Sequence, residues 1–398
     1  MDPVSQAVVG AMAAQAVASR RLGRAAGVAG ALGGVLPDAD VLIRSASDPL
    51  LAVEMHRHFT HSLAFVPLGG LLAALPLLAC APLRAQWRWV LAACTLGWLT
   101  HGPLDALTSY GTLLFWPLCR TRVALDWMSI VDPLFTVPLL VLVLLAGWRR
   151  SARLAHMGVA FALAFVALGA WQHQRAWAVQ SSLAASRGHA VEHGRVMPTV
   201  GNLVVWRSLY VAGGVMYADG VRVSPLGGVA VVLGESMPQV MRPPLSGTGD
   251  AALVAIIARD FKRFQWFADG FCGLDPADAT VIADMRYSLR TEGFDPLWGV
   301  RFHGDGRAVP VEWVARPVGA RHGWGEFWQL LTGTSPRLRH WFLSWPEQGN
   351  WRRPWAASSL AEGIPQSVAH LSSTSPGPGS PTIVGDRGEP DCRRAGAT

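Results

Sequence analysis

The chain has 398 residues, 51% hydrophobic and 15% charged, with a net charge of +7 carried almost wholly by arginine, Lys262 being the only lysine. So low a charge density argues against a wholly soluble protein and for a membrane protein with a soluble part, and arginine beside apolar segments suits anionic lipid and topology signals better than nucleic acid. Five cysteines (Cys80, Cys94, Cys119, Cys272 and Cys392) without C-x-x-C spacing exclude a disulfide framework and a thiolate metal site.

In chain order, residues 4–19 and 24–36 are short Ala/Gly/Val-rich runs split by Arg20, Arg21 and Arg24, and they read as a packed helical hairpin. Residues 62–83 and 88–108 are the clearest spans, and residues 133–148 and 154–171 add two more apolar helices. Met1-Asp2-Pro3 lacks a basic n-region, so the expected insertion signals are these internal segments. If the helices alternate, one face carries Arg20, Arg21, Arg24, Arg84, Arg88, Arg149, Arg150 and Arg153. The positive-inside rule puts that face in the cytoplasm, and the candidate site and the C-terminal region then face outward, which is periplasmic in a Gram-negative cell.

After Trp171 the pattern changes. Residues 190–235 read as strands, with runs such as Asn202–Arg207 and Gly213–Tyr217. Residues 250–268 read as a helix with Leu253, Ile256, Ile257, Phe261 and Phe264 at helical spacing, and residues 279–315 read as further strands. Residues 321–355 interleave Trp324, Trp328, Trp341, Trp345, Trp351 and Trp355 with arginines, which suits either a domain core or a membrane interface. Residues 356–398 are rich in Ser, Pro and Gly and read as a disordered tail. The expected organisation is a multi-pass α-helical membrane domain over 1–172, a soluble α+β domain over 173–355 and the tail over 356–398.

The chemistry gathers where the apolar runs end on the face opposite the arginines. Asp38 and Asp40 close the second run, His56, Arg57, His58, Thr60, His61 and Ser62 precede the third, and His101 and Asp105 end the fourth. Imidazoles and carboxylates at one membrane depth are costly, so this mixture points to a metal site. His101 and Asp105, at i,i+4, share a helix face if Pro103 leaves the helix intact. Thr60 or Ser62 would cap the next helix, Asp132 would cap the one after Pro133, and Arg57, Arg120 or Arg122 could bind an anion.

The ordered set Leu36-Pro37-Asp38-x-Asp40, His56-Arg57-x-x-Thr60-His61-Ser62 and His101-x-x-Leu104-Asp105-x-x-Thr108-x-x-Gly111-Thr112, followed by Trp116-Pro117, resembles the YdjM-type family of bacterial inner-membrane proteins over about residues 1–150. Ser129–Phe135, Pro198-Thr199 through Trp206-Arg207, and Ala283–Tyr287 resemble a branch of it. Two positions depart from the pattern: His58 stands where glycine is frequent, and Pro103 follows His101-Gly102. The resemblance implies a metal-dependent hydrolase and names no substrate. The expectation is that His56, His61, His101 and Asp105 hold a divalent metal, Zn²⁺ first and Mn²⁺ second, with Asp38 and Asp40 holding another. Asp40 would act as general base and Arg57 or Arg122 would hold an anionic leaving group. The substrate would be a lipid or envelope-linked (phospho)ester. The alternative is a non-catalytic metal-binding membrane protein that senses metal or binds a partner. A nucleic-acid partner is not expected.

Overall fold

In the computed structural model of the chain the described residues are 1–341 except 226, 244–249, 306 and 317–323. The expected tail at 356–398, with Trp345, Trp351 and Trp355, lies outside them.

The N-terminal part is helical. Helix α1 (Pro3–Leu22) starts at Asp2, whose carboxylate accepts the amides of Val4 and Ser5, with Pro3 at the first helical position. Gly23 ends it, and α2 (Ala25–Val35) returns antiparallel, running on into a 3-10 turn over Leu36–Leu42. A short helix α3 (Leu51–Met55) leads to two 3-10 turns and then to α4 (Val66–Leu78), with a single helical turn α5 (Ala81–Arg84) before α6 (Trp87–Ala106). The long loop 107–132 follows, then α7 (Pro133–Arg149) and α8 (Ala152–Ser186). Asp132 caps α7 through the amides of Leu134 and Phe135, as its position before Pro133 predicts.

Glycine lets α1, α2 and α6 approach closely. A Cβ at Gly30 would lie 2.2 Å from the Gly10 carbonyl oxygen, and one at Gly97 would lie 2.1 Å from that of Gly30. The two short runs are thus the packed hairpin that their composition suggested, and α6 lies against it.

Among the described residues, two helical stretches are long and apolar enough to cross a membrane, Ala25–Leu42 and Ala152–Ser186, or three if the pair Leu51–His61 and Leu63–Leu78, bent by 58°, counts as one. This differs from the expectation that 62–83 and 88–108 are the safest spans. The first is broken after Leu78, where Cys80 has extended backbone before α5. The second carries His101 and Asp105, which lower its hydropathy. Leucines on α4, α7 and α8 (Leu68, Leu72, Leu144 and Leu163) are nonetheless exposed, as lipid-facing side chains would be.

Helix α8 has 35 residues, so it is about 52 Å long at 1.5 Å per residue, well beyond a hydrocarbon core of roughly 30 Å. The boundary expected at residue 172 therefore falls inside a continuous helix. Alanine-rich sequence without Pro or Gly after Gly169 carries it to Ser186.

The C-terminal half of α8 covers one face of an antiparallel sheet. Its strands are β1 (His193–Pro198), β2 (Val205–Ala212), β3 (Val215–Val223), β4 (Val229–Val232) and β5 (Ser236–Pro238), with β10 (Arg339–Trp341) beside β4. Strand β2 is buried on both faces. Trp206 faces Ala176 and Val179 of α8, while Leu209 and Val211 face Phe271, Ala283 and Met285. The latter belong to a second antiparallel sheet of β6 (Cys272–Asp275), β7 (Asp278–Asp284), β8 (Trp298–Phe302) and β9 (Val311–Ala315). Helix α9 (Ala251–Phe267) packs on that sheet through Phe261, Phe264 and Phe267, and the same cluster takes in Leu50, Val53 and Tyr110 of the helical part. The layers run α8, sheet, sheet, α9. Gly213 and Gly214, both at positive φ, make the β2–β3 turn where a strand start was expected. A further helix, α10 (Trp324–Thr332), leaves Trp328 exposed, whereas Trp341 joins the α8 core and donates its indole N–H to Ser182.

Candidate metal centre

The ends of three apolar runs meet on the face away from the arginine turns. Arg21 lies over the Trp89 ring at 5.9 Å, which brings together two of those turns at the opposite end. Helix α6 continues through Pro103, so His101 and Asp105 stay one turn apart, with Nε2 and Oδ2 3.5 Å from each other. Gly102 makes room for the His61 segment, since a Cβ there would lie 2.1 Å from the His61 carbonyl oxygen.

His61 and His101 point the same ring nitrogen at one spot. His101 Nδ1 is 2.6 Å from the Gly34 carbonyl, which can only accept, so Nδ1 carries the proton. Thr60 Oγ1 donates to Asp40 Oδ2 at 2.9 Å, and His61 Nδ1 lies 3.0 Å from that hydroxyl and 3.2 Å from Asp40 Oδ2. His61 Nδ1 is therefore also the donor. The two Nε2 atoms then face each other across 2.8 Å. Asp38 Oδ1 stands 3.4 Å from each, and Asp105 Oδ2 3.2 Å from His61 Nε2.

Four Lewis bases with no proton between them repel unless a cation sits among them. Two Nε2 atoms 2.8 Å apart cannot both carry a proton, so at least one presents a bare lone pair to the cluster. Asp105 Oδ2 is buried and without a hydrogen-bond partner. Tetrahedral Zn²⁺ with bonds of about 2.0–2.1 Å sets ligand atoms about 3.3 Å apart. Apart from the closer approach of the two imidazoles, the four imidazole–carboxylate separations fall between 3.2 and 3.5 Å, so the donor set fits a small divalent ion.

A second group, Asp38, Asp40 and His56, shares Asp38 with the first, and its ligand atoms also lie within 4.8 Å of one another. The six residues expected from sequence as ligands are thus brought together. Their grouping differs from the expectation: Asp38, not His56, stands with His61, His101 and Asp105, and His56 falls with Asp38 and Asp40. Asp40 is engaged at both oxygens: Oδ1 accepts from His56 Nδ1 at 2.9 Å, and Oδ2 takes the Arg57 amide at 3.0 Å as well as Thr60. It ties down the whole His56–His61 segment, and neither Thr60 nor Ser62 is left to cap α4.

Arg57 is buried at φ 65°, with Nη1 donating to Thr108 Oγ1 at 3.0 Å, Nε 3.2 Å from Asp105 Oδ2 and its guanidinium over Tyr110. His58 points elsewhere, against Phe59 and Trp116. Arg120 is exposed. Arg122 is boxed by Tyr110, Trp266 and Phe267 and donates to the Gly111 carbonyl, with Nε and Nη1 unpartnered. Burial pushes the Arg122 guanidinium down to about 10.

The sequence reading missed Gln6, whose amide donates to Asp105 Oδ1 at 3.0 Å, and Gly34, whose carbonyl orients His101. A fully buried glutamine in an Ala/Val helix was the available signal for Gln6. The Met1 amine also pairs with Asp105 Oδ1. Two arginines of the sheet region hold the loops that frame the cluster. Arg195 grips Asp126 and the Ser109 carbonyl, and Arg263 grips both Glu54 and Asp48.

Residues 1–176 match the family model of the YdjM inner membrane protein. No curated protein and no solved structure matches the chain.

Proposed function

We propose that the chain is a membrane-bound metal-dependent hydrolase whose ion is held by Asp38, His61, His101 and Asp105. The observation that carries this is the pair of imidazoles whose Nδ1 atoms are each committed to a fixed acceptor while both Nε2 atoms, with two carboxylates, converge on a common point. Nitrogen and oxygen donors without thiolate favour Zn²⁺, then Mn²⁺. When bound, such an ion supplies Lewis acidity and lowers the pKa of water.

The chain's own residues do the rest. Asp40 orients His61 and holds the proton on His56 Nδ1, which leaves His56 Nε2 as the proton acceptor; its side chain is 24% exposed. Arg57 neutralises Asp105 and fixes Thr108. Asp38, at 19% side-chain exposure, is the one ligand of the set that borders open space, and substrate would enter beside it. A site at a membrane face suits a lipid or envelope-linked (phospho)ester. The helices would cross the inner membrane several times, with the arginine turns cytoplasmic and the cluster and sheets periplasmic.

A different reading rests on the full burial of His61, His101 and Asp105, which suits a closed, non-catalytic ion site. Metal analysis of the detergent-purified protein, followed by a screen against carboxylic and phosphate esters of lipids, separates the two. About one ion per chain together with metal-dependent ester cleavage supports the hydrolase. One ion with no cleavage of any ester supports the closed site. Two ions would recruit Asp40 and His56 as ligands, and absence of metal after reconstitution would sink both readings.

A further inference from the structure

A cavity of about 320 Å³ lies at the seam between the helical part and the sheets, separate from the metal cluster. Loop 107–132 forms one wall with Ser109, Ser129 and Ile130, and the end of β1 adds Met197 to Val200. The opposite walls come from the 286–297 segment and α10, including Leu289, Leu297 and Leu330. The lining is mainly apolar, and an apolar space of this size is a ligand site by default.

Two observations say what would fill it. First, the apolar wall is continuous with the surface of α7 that faces outward. Val131 and Leu134 are exposed beside Ile130, and Val200 is 61% exposed next to Gly201, which packs on Pro133. A hydrocarbon chain could pass from the lipid-facing side of α7 into the cavity over apolar surface alone. Second, the cavity is lined by a buried arginine that, among the described residues, has no carboxylate within ion-pairing distance. Arg207 is 5% exposed, and its N–H groups donate to the carbonyls of Met285, Arg290, Thr291 and Gly293. Among the described residues no carboxylate ion-pairs with it, and its Nε has no partner. The other charges of the lining are mostly committed. Arg286 pairs with Asp284, Arg290 with Glu235 and Asp295, and Glu292 with Arg337, while Glu326 is exposed on α10. Tyr287, also in the lining, has a buried hydroxyl without a partner. Unpartnered donors beside an apolar space favour an amphiphile with an anionic oxygen over a neutral hydrocarbon.

We propose that this cavity binds the hydrocarbon chain of an anionic amphiphile, drawn from the membrane along α7, with its anionic group on the Arg207 and Tyr287 side. The assignment does not depend on the metal cluster or on hydrolysis.

The test uses the full-length protein in phosphatidylcholine nanodiscs and palmitate carrying a mid-chain diazirine. After photolysis, adducts are mapped by peptide mass spectrometry. Adducts on 197–200 and 286–297, competed by unlabelled palmitate about ten times better than by the uncharged hexadecanol, are expected. Ile130→Trp and Leu297→Trp fill the cavity from opposite walls and should each cut these adducts at least fivefold while adducts on exposed positions of α4 and α8 persist. Those persisting adducts, with an unchanged melting temperature, show that the variants are folded. Adducts confined to α4, α7 and α8 in wild type would overturn the proposal. So would equal competition by hexadecanol, or adducts that survive both fillings.

Discussion

His61 and His101 each spend one ring nitrogen on a fixed partner and leave the other facing a shared point. That division of labour makes the outer partners nearly as important as the ligands. Asp40→Asn turns one of the two acceptor oxygens into an NH2 donor, so it can no longer accept from His56 on one side and from Arg57, Thr60 and His61 on the other, and metal affinity should fall about 10- to 100-fold. Competition with a chelator of known affinity checks it, and unchanged affinity would mean Asp40 only shapes the loop. His101→Ala should abolish tight binding in the same assay, and a full complement of metal in that variant would remove His101 from the ligand set. Most of this site was legible in sequence, because histidines and aspartates are conspicuous beside apolar runs. The Asp40 role was not. A carboxylate committed to a loop network looks the same in sequence as a free base, and only the geometry at His56, Arg57 and Thr60 tells them apart. Gly34 was invisible for a simpler reason: it acts through its backbone carbonyl.

The helices bring these side chains together because glycine replaces side chains where backbones touch. Gly102→Ala would drive a methyl into the His61 carbonyl, and backbone cannot yield as a flexible side chain can. The expected loss is about 1–3 kcal/mol of stability, with weaker metal retention, read by thermal melts with and without added Zn²⁺. An unshifted melt would mean that α6 and the His61 segment slide apart freely. Periodicity revealed the α1–α2 hairpin, α9 and most strand runs, since each has a clear apolar face. At 62–83 and 88–108 it did not foresee the break after Leu78 or the polar end of α6. It also placed a boundary in the middle of α8, because a change of composition from leucine to alanine, glutamine and tryptophan resembles a change of domain while helix propensity runs on unbroken.

At the scale of the whole molecule, the sheets hold the cluster's two framing loops by buried or half-buried arginine pairs. Arg195 and Asp126 are both nearly inaccessible, and their pairing spans 69 positions. Arg195→Ala would leave Asp126 uncompensated and should cost about 3–5 kcal/mol. Hydrogen exchange should rise across 107–132, and exchange confined to β1 would mean the loop stands alone. None of this was readable in sequence, because such partners announce themselves only after the fold has joined them. The uninterrupted α8 carries the remaining consequence. A rod of about 52 Å, longer than a hydrocarbon core and overlaid at its far half by a sheet, ties that sheet to the helical part at a fixed distance. On the membrane reading proposed above, α8 then acts as a gauge: the sheet cannot change its height over the lipid without breaking a helix.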